Sequence, residues 1–392
     1  MAPLRTIRGI SWDHPRGFDC LAANVPAFQA ANPDIEVVWE RRSLKQFGEQ
    51  PIDALAERYD LIVADHPFVG HGAASGCLID VTPIIGKDAV DAMLQDSVGK
   101  SSVSYHWNGG VYGLPTDAAS QVASYRPDIM AALKHEAPQS FGETIALAKA
   151  ARAAGKSIAT PACPTDAMSL ILSFTANLGQ PLGAEPGQFW ERRALEEAFA
   201  YVEELVAASH PSSPDWNPIQ GYNAMSSTDE IAYISYAFGY SNYSRKGVAR
   251  PILFTNVAGP GSDPRAGALL GGAGCAVTSS ARDFEAIGRY LRFVHDPAHQ
   301  RGAYFDAGGQ PGSRSAWLDE RVNAEANNFF RNTLETLDKS FLRPRFDGFV
   351  PFFEEGGEII NARLRGAFSR EAAIDKLSAH YEHILALEPA QA

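Results

Sequence analysis

IEVVWERRSLKQFGEQPIDALAERYDLIVAD, residues 35–65, changes its hydrophobic period twice. Ile35 to Glu40 predicts a strand. Leu44 to Tyr59 places Phe47, Ile52, Leu55 and Ala56 at helical spacing, so one face of that helix turns inward. Leu61-Ile62-Val63-Ala64 is then apolar without interruption and stops at Asp65. A strand with no polar alternation suits burial on both faces, as in a parallel sheet. Toward the amino terminus, Ile7 to Trp12 predicts another short strand. Phe18, Leu21, Ala22, Val25 and Phe28 predict a helix over 18–31, which Pro26 must kink unless it lies near an end. Asn32-Pro33-Asp34 supplies the turn between them. The order is β-α-β-α-β, a doubly wound α/β arrangement.

Beyond this region the texture changes. Asn108-Gly109-Gly110 turns the chain into Val111 to Pro115. Helix patterns dominate from Ala137 to Tyr243. They include one over 138–154, opened by Ser140 with Glu143 three residues on as a capping box, and one over Leu195 to Ala208. Pro211, Pro214 and Pro218 mark a loop. Strand character returns at Ile252-Leu253-Phe254, before a glycine-rich stretch from Gly259 to Gly274. Helices are predicted at Phe284 to Val294, Glu354 to Gly366 and Arg370 to Leu387.

The 392 residues are 45% hydrophobic and 20% charged, with a formal net charge of −12. This is enough apolar material for more than one core. A diffuse acidic excess repels phosphate backbones and anionic lipid, so neither nucleic acid nor a membrane surface is expected as a partner. Cys20, Cys77, Cys163 and Cys275 are far apart, without zinc-site spacing, and are expected to be four separate buried thiols. No apolar run is long enough to span a bilayer, and the first residues lack the apolar core of a secretory leader. That leaves open either a trimmed leader or a protein that stays inside the cell.

Six segments, in this order, resemble the extracellular solute-binding proteins of family 1, the maltose- and sugar-binding group. They are FQAANPDIEVVWERRSLKQF (28–47), RYDLIVADHPFVGHGAASGCLIDVTPII (58–85), WNGGVYGLPTDAASQVASYRPDIM (107–130), APQSFGETIALAKA (137–150), GALLGGAGCAVTSSARDFEAIGRYLRFVHDPAHQ (267–300) and GGQPGSRSA (308–316). The resemblance implies a two-lobed periplasmic-binding-protein fold, each lobe a sheet flanked by helices, hinged by crossing strands. It divides the chain into an N-terminal lobe, 1–114 plus 257–312, and a C-terminal lobe, 115–256 plus 313–392. The crossings would be Gly113 to Thr116, Phe254 to Gly259 and Gln310 to Arg314. It further implies a monomeric receptor that captures a small polar solute by hinge closure and passes it to the membrane permease of an ABC transporter, in the periplasm or outside the cell.

Ligands of open α/β sheets bind beyond the carboxyl ends of the strands. There the sequence places Trp12, Asp13, His14 and Arg16 after the first strand, Arg42 after the second, and Asp65 and His66 after the third. If the resemblance holds, Thr116, Asp117, Ser120 and Gln121 join them from the first crossing. Thr165, Asp166, Tyr222, Tyr240 and Tyr243 would come from the second lobe, Gly272 from a glycine turn, and Arg314 from the last crossing. His14, Arg16, Arg42, His66 and Arg314 make a cationic set, which points to an anionic ligand as well as to a sugar. Each has a plainer reading: Trp12 as core, the histidines as loop residues, Arg42 and Asp65 as a structural ion pair, Tyr240 and Tyr243 as a packed helix face. No catalytic residue, metal ligand or cofactor is predicted. There is no GxSxG elbow, the phosphate-loop pattern around Gly99-Lys100-Ser101 lacks its first glycine, and Gly271 to Gly274 does not complete a dinucleotide fingerprint. The alternative is a cytosolic ligand-responsive sensor or an enzyme built on the same fold.

Overall fold

A computed structural model describes residues 4–387. Its strands are β1 (Arg5–Trp12), β2 (Ile35–Arg42), β3 (Leu61–Ala64), β4 (Leu78–Ile79), β5 (His106–Trp107), β6 (Gly110–Val111), β7 (Leu114–Tyr125), β8 (Ser157–Ala159), β9 (Ile231–Phe238), β10 (Leu253–Thr255) and β11 (Leu270–Thr278). The chain forms two compact units, Met1–Ala119 with Gly271–Ala324, and Ser120–Leu270 with Glu325–Ala392. No described helix is long and apolar enough to cross a membrane.

In the first unit β1 runs parallel to β2 along its whole length, from Arg5 opposite Ile35 to Trp12 opposite Arg42. It also runs parallel to β3 through Gly9 and Ile10. β11 then joins β3 antiparallel, Gly274 opposite Ala64. The core is built from Ile7, Val37, Trp39, Leu61, Val63, Cys275 and Val277 of the sheet, with Phe28, Tyr290 and Leu291 from helices. Within it the Trp39 Nε1–H donates to the Tyr290 hydroxyl at 2.7 Å.

The helix expected over 44–59 is two helices, Leu44–Glu49 and Ile52–Ala56, because Pro51 lacks the N–H to continue the first. Pro26 occupies the first turn of the helix Val25–Ala31, where a missing N–H costs nothing, and a separate turn of helix precedes it.

In the second unit β9 pairs parallel with β8 and antiparallel with β7, and β10 is antiparallel to β7. The helix Pro164–Asn177 is buried from Asp166 to Thr175. β9 carries an extra residue opposite Val122–Ser124, and Tyr236 in that bulge takes the left-handed conformation at φ 44°. The helix-rich reading of 137–243 passed over β8 and β9. β8 is only three residues long, and β9 is buried along nearly its whole length, which hides a two-residue period.

The chain passes between units at Ala119/Ser120, Leu270/Gly271 and Ala324/Glu325. Each lies later than the sequence boundary at 114/115, 256/257 or 312/313. The first passage lies inside β7, and Leu253–Thr255 remain in the second unit because they pair with Ala123–Tyr125. Segment 310–313 remains in the first unit because the Gly312 N–H donates to the Thr116 carbonyl at 3.1 Å and Pro311 bridges Asp117.

All four cysteines are free; Cys20, Cys77 and Cys275 are buried and Cys163 is half-buried. Burial pushes the Cys20 and Cys275 thiols up to about 12 and Cys77 to about 11.

Candidate functional site

The parallel strands of the first unit end side by side at Trp12, Arg42 and Ala64, and the predicted residues gather there. Trp12 is buried, with its ring 4.8 Å from that of Phe47, and its indole N–H has no partner among the described residues. Gly17 is required beneath it, since a Cβ at that position would stand 2.3 Å from the indole. Asp13 is exposed and takes a hydrogen bond from Arg41 at 2.8 Å. The His14 Nδ1 accepts the Arg16 N–H at 3.1 Å, opening the turn Pro15–Asp19. Burial, then the neighbouring Arg16, brings His14 down to about 4, so its ring is neutral at neutral pH.

Arg16 and Asp117 form a fork-on-fork pair. Nε and Nη2 each donate at 2.6 Å to one carboxylate oxygen, and both side chains are almost wholly buried. Burial pushes the Asp117 carboxyl up, and the guanidinium offsets that push. Gly272 lies against this strand at φ 91°, where a Cβ would come within 2.5 Å of the Asp117 carbonyl oxygen. Glycine is therefore required twice, by the backbone angle and by the close approach.

Arg42 is buried beside the Phe47 ring at 5.2 Å, and its Nη2 donates to the Val63 carbonyl at 2.8 Å. It forms no ion pair with Asp65; burial lowers it to about 10, which still leaves it charged. Asp65 caps the turn that follows β3, accepting the His66 N–H at 2.8 Å, and the His66 Nδ1 stands 3.1 Å from the same carboxylate. Arg16 is therefore neutralised by a carboxylate and His14 by loss of its proton, so the cationic set expected from the sequence shrinks.

Thr116 and Arg314 stand apart from this group. The Thr116 hydroxyl meets His295 Nε2 at 2.9 Å, and Arg314 opens the helix Arg314–Leu318 beside Asp96. In the second unit Gln121 is fully buried, and its side-chain oxygen accepts the Leu269 N–H at 3.0 Å and the Ser173 hydroxyl. Thr165 is exposed, and Asp166 is buried and accepts the Cys163 thiol at 3.1 Å. Burial raises Asp166 to about 7. Tyr222 is wholly buried, 6.3 Å from the Tyr240 ring and 5.2 Å from that of Tyr243, and its hydroxyl donates to the Phe238 carbonyl at 3.2 Å. Among the described residues no group of three or more histidine, cysteine or acidic side chains is placed to hold a metal.

Sequence reading missed Phe47, which orders both Trp12 and Arg42, and Arg41, whose guanidinium lies 4.0 Å from the Phe18 ring. Phe47 was visible only as an apolar helix position, and Arg41 as one basic residue of a pair.

A search of curated protein sequences finds no match. Solved structures do match. A solute-binding protein of an ABC transporter from Agrobacterium radiobacter in complex with ribitol has a TM-score of 0.81 at 17% identity, over 97% of this chain and 100% of that one. Maltose-bound MalE3 of T. maritima has a TM-score of 0.81 at 17% identity, over 97% of this chain and 99% of that one. A solute-binding protein from Agrobacterium vitis with bound D-mannitol has a TM-score of 0.75 at 13% identity, over 97% and 98%. At such identities the likeness fixes the fold, the α/β periplasmic-binding-protein fold. The family model described as bacterial extracellular solute-binding protein matches residues 23–329, and this chain therefore belongs to that family.

Proposed function

We propose that the chain is the receptor of an ABC-type importer, working outside the cytoplasm, and that it hands a small neutral polyhydroxylated solute to a membrane permease. As a family member it is a solute-binding protein and not an enzyme. The observation that carries the finer reading is the charge balance at the strand ends. Arg16 is spent on Asp117, His14 is held neutral and the Arg42 guanidinium is turned to the Val63 carbonyl, while Asp13, beside Arg41, and Asp65, beside His66, bring carboxylates that can also accept from hydroxyl groups. The ligands of the similar structures, ribitol, maltose and D-mannitol, support the same chemistry. The proposed contacts are Asp13, His14, Asp65 and His66, with Trp12, Arg16, Arg42 and Asp117 as the scaffold beneath them. Thr165 and Asp166 are proposed for the second unit.

The test is the melting temperature against ribitol, D-mannitol, maltose and a small dicarboxylate. A native-state ligand at a hundred times its Kd contributes about 2.7 kcal/mol. A shift with a polyol or sugar and none with the dicarboxylate is expected. A shift with the dicarboxylate alone would overturn the neutral-solute reading.

A further inference from the structure

The second unit holds a groove that none of the candidate site residues above lines. It lies beside β8, at the edge of the β7-β9-β8 sheet, and has a volume of about 620 Å³. That falls within the roughly 300–1,000 Å³ of small-molecule sites. Val206, Ala207, Pro211, Pro214 and Leu364 give it an apolar surface, Arg152, Glu203 and Arg363 give it charge, and His210 adds a ring.

Its charges do not cancel. Glu203 takes Arg363 Nε at 3.1 Å and Arg370 Nη2 at 2.7 Å, so one carboxylate faces two guanidinium groups. Arg363 uses only Nε in that contact, and its two Nη groups have no partner among the described residues. Arg152 has no carboxylate partner there either. Its Nη2 rests on the Ala207 and Ala208 carbonyls at 3.4 and 3.2 Å, at the C-terminus of the helix Arg192–Ala208, where a cation is favoured. Its Nε and Nη1 have no partner among the described residues. The His210 ring, also in the lining, is stacked on Trp216 at 4.7 Å and 6°, with its Nε2 3.1 Å from the Glu230 carboxylate.

We propose that this groove is a second binding site, for a small carboxylate with a flat apolar body. The carboxylate would lie between Arg152 and Arg363 and the body against Pro211, Pro214 and the His210 ring. Two guanidinium groups with free donors match a carboxylate in charge and geometry. The proposal does not rest on the identity of the transported solute, because it shares no residue with the strand-end site.

Titration calorimetry of the full chain with benzoate, benzyl alcohol and inorganic phosphate tests it. Benzoate is expected to bind, with benzyl alcohol and phosphate each at least tenfold weaker. Arg152 is exposed, so Arg152→Gln is expected to keep the fold, to weaken benzoate at least tenfold and to leave melting shifts by polyols unchanged. Arg363→Lys, which keeps a charge beside Glu203, is expected to weaken it as well. Benzoate binding that survives both substitutions, or no benzoate binding at millimolar concentration, overturns the proposal. Phosphate binding as tightly as benzoate overturns the assignment of an apolar body.

Discussion

Arg16 and Asp117 each look expensive alone, because a buried charge without its partner is strongly disfavoured. Asp117→Asn leaves the guanidinium buried and uncompensated, and is expected to cost about 3–5 kcal/mol by denaturant unfolding. Replacing both, Arg16→Met with Asp117→Leu, is expected to cost much less; equal losses in single and double variants would mean that the pair is not coupled. Asp166 behaves in the opposite sense to most carboxylates. Its folded value, about 7, lies above its unfolded one, so the folded state binds more protons between the two. Its burial therefore penalises the fold above pH 7, and the penalty fades as pH falls toward the unfolded carboxylate range. Asp166→Asn is expected to stabilise the protein by roughly 1–3 kcal/mol at pH 8 and by nothing measurable near pH 4. Unfolding curves at the two pH values check this, and a gain independent of pH would refute it.

Capping and breaking decide where the helices begin and end. The Ser140 hydroxyl accepts the Glu143 N–H at 3.3 Å, opening the helix Phe141–Ala153 as expected. The Glu143 carboxylate, however, reaches the Gln139 N–H at 2.7 Å, so the reciprocal bond lands one residue earlier than the motif predicts. Ser140→Ala is expected to lower stability by about 1 kcal/mol, measured as a shift in the urea midpoint. The β1-β2-β3 order was legible because Leu61–Ala64 advertises two buried faces, and Phe284–Val294 was legible because its apolar stripe is clean. β11 was not, since Gly271, Gly272 and Gly274 read as a loop; Gly272 and Gly274 stand in the strand where Asp117 and Tyr105 approach too closely for side chains. The strand-end residues could be named from position, but not their pairing: nothing in the sequence says that Arg16 meets Asp117, 101 positions away, rather than a ligand.

Each unit is assembled from separated stretches of chain, so neither can be cut out at a single point. β3 takes β11 as its neighbour, and Cys275, Val277, Tyr290 and Leu291 complete the core around Ile7 and Val37. A fragment ending at Ala119 is expected to show no cooperative melting. Linking Gly271–Ala324 to it is expected to restore a transition, followed by circular dichroism; cooperative melting of the short fragment would contradict this. The fold and family were legible over most of the chain because the order of elements survives where individual residues do not.

The thiols bear on how the protein can be handled. Since none of the four is bonded to another, reducing agents should leave the fold intact, and alkylating reagents face a graded set of targets. Cys163 is the half-buried one, and both burial and the Asp166 carboxylate disfavour its thiolate. A maleimide dye should thus attach slowly at Cys163 despite its partial exposure, carrying its fluorophore beside a carboxyl proposed to meet the solute, so that a labelled Cys163 would report optically on what the receptor binds.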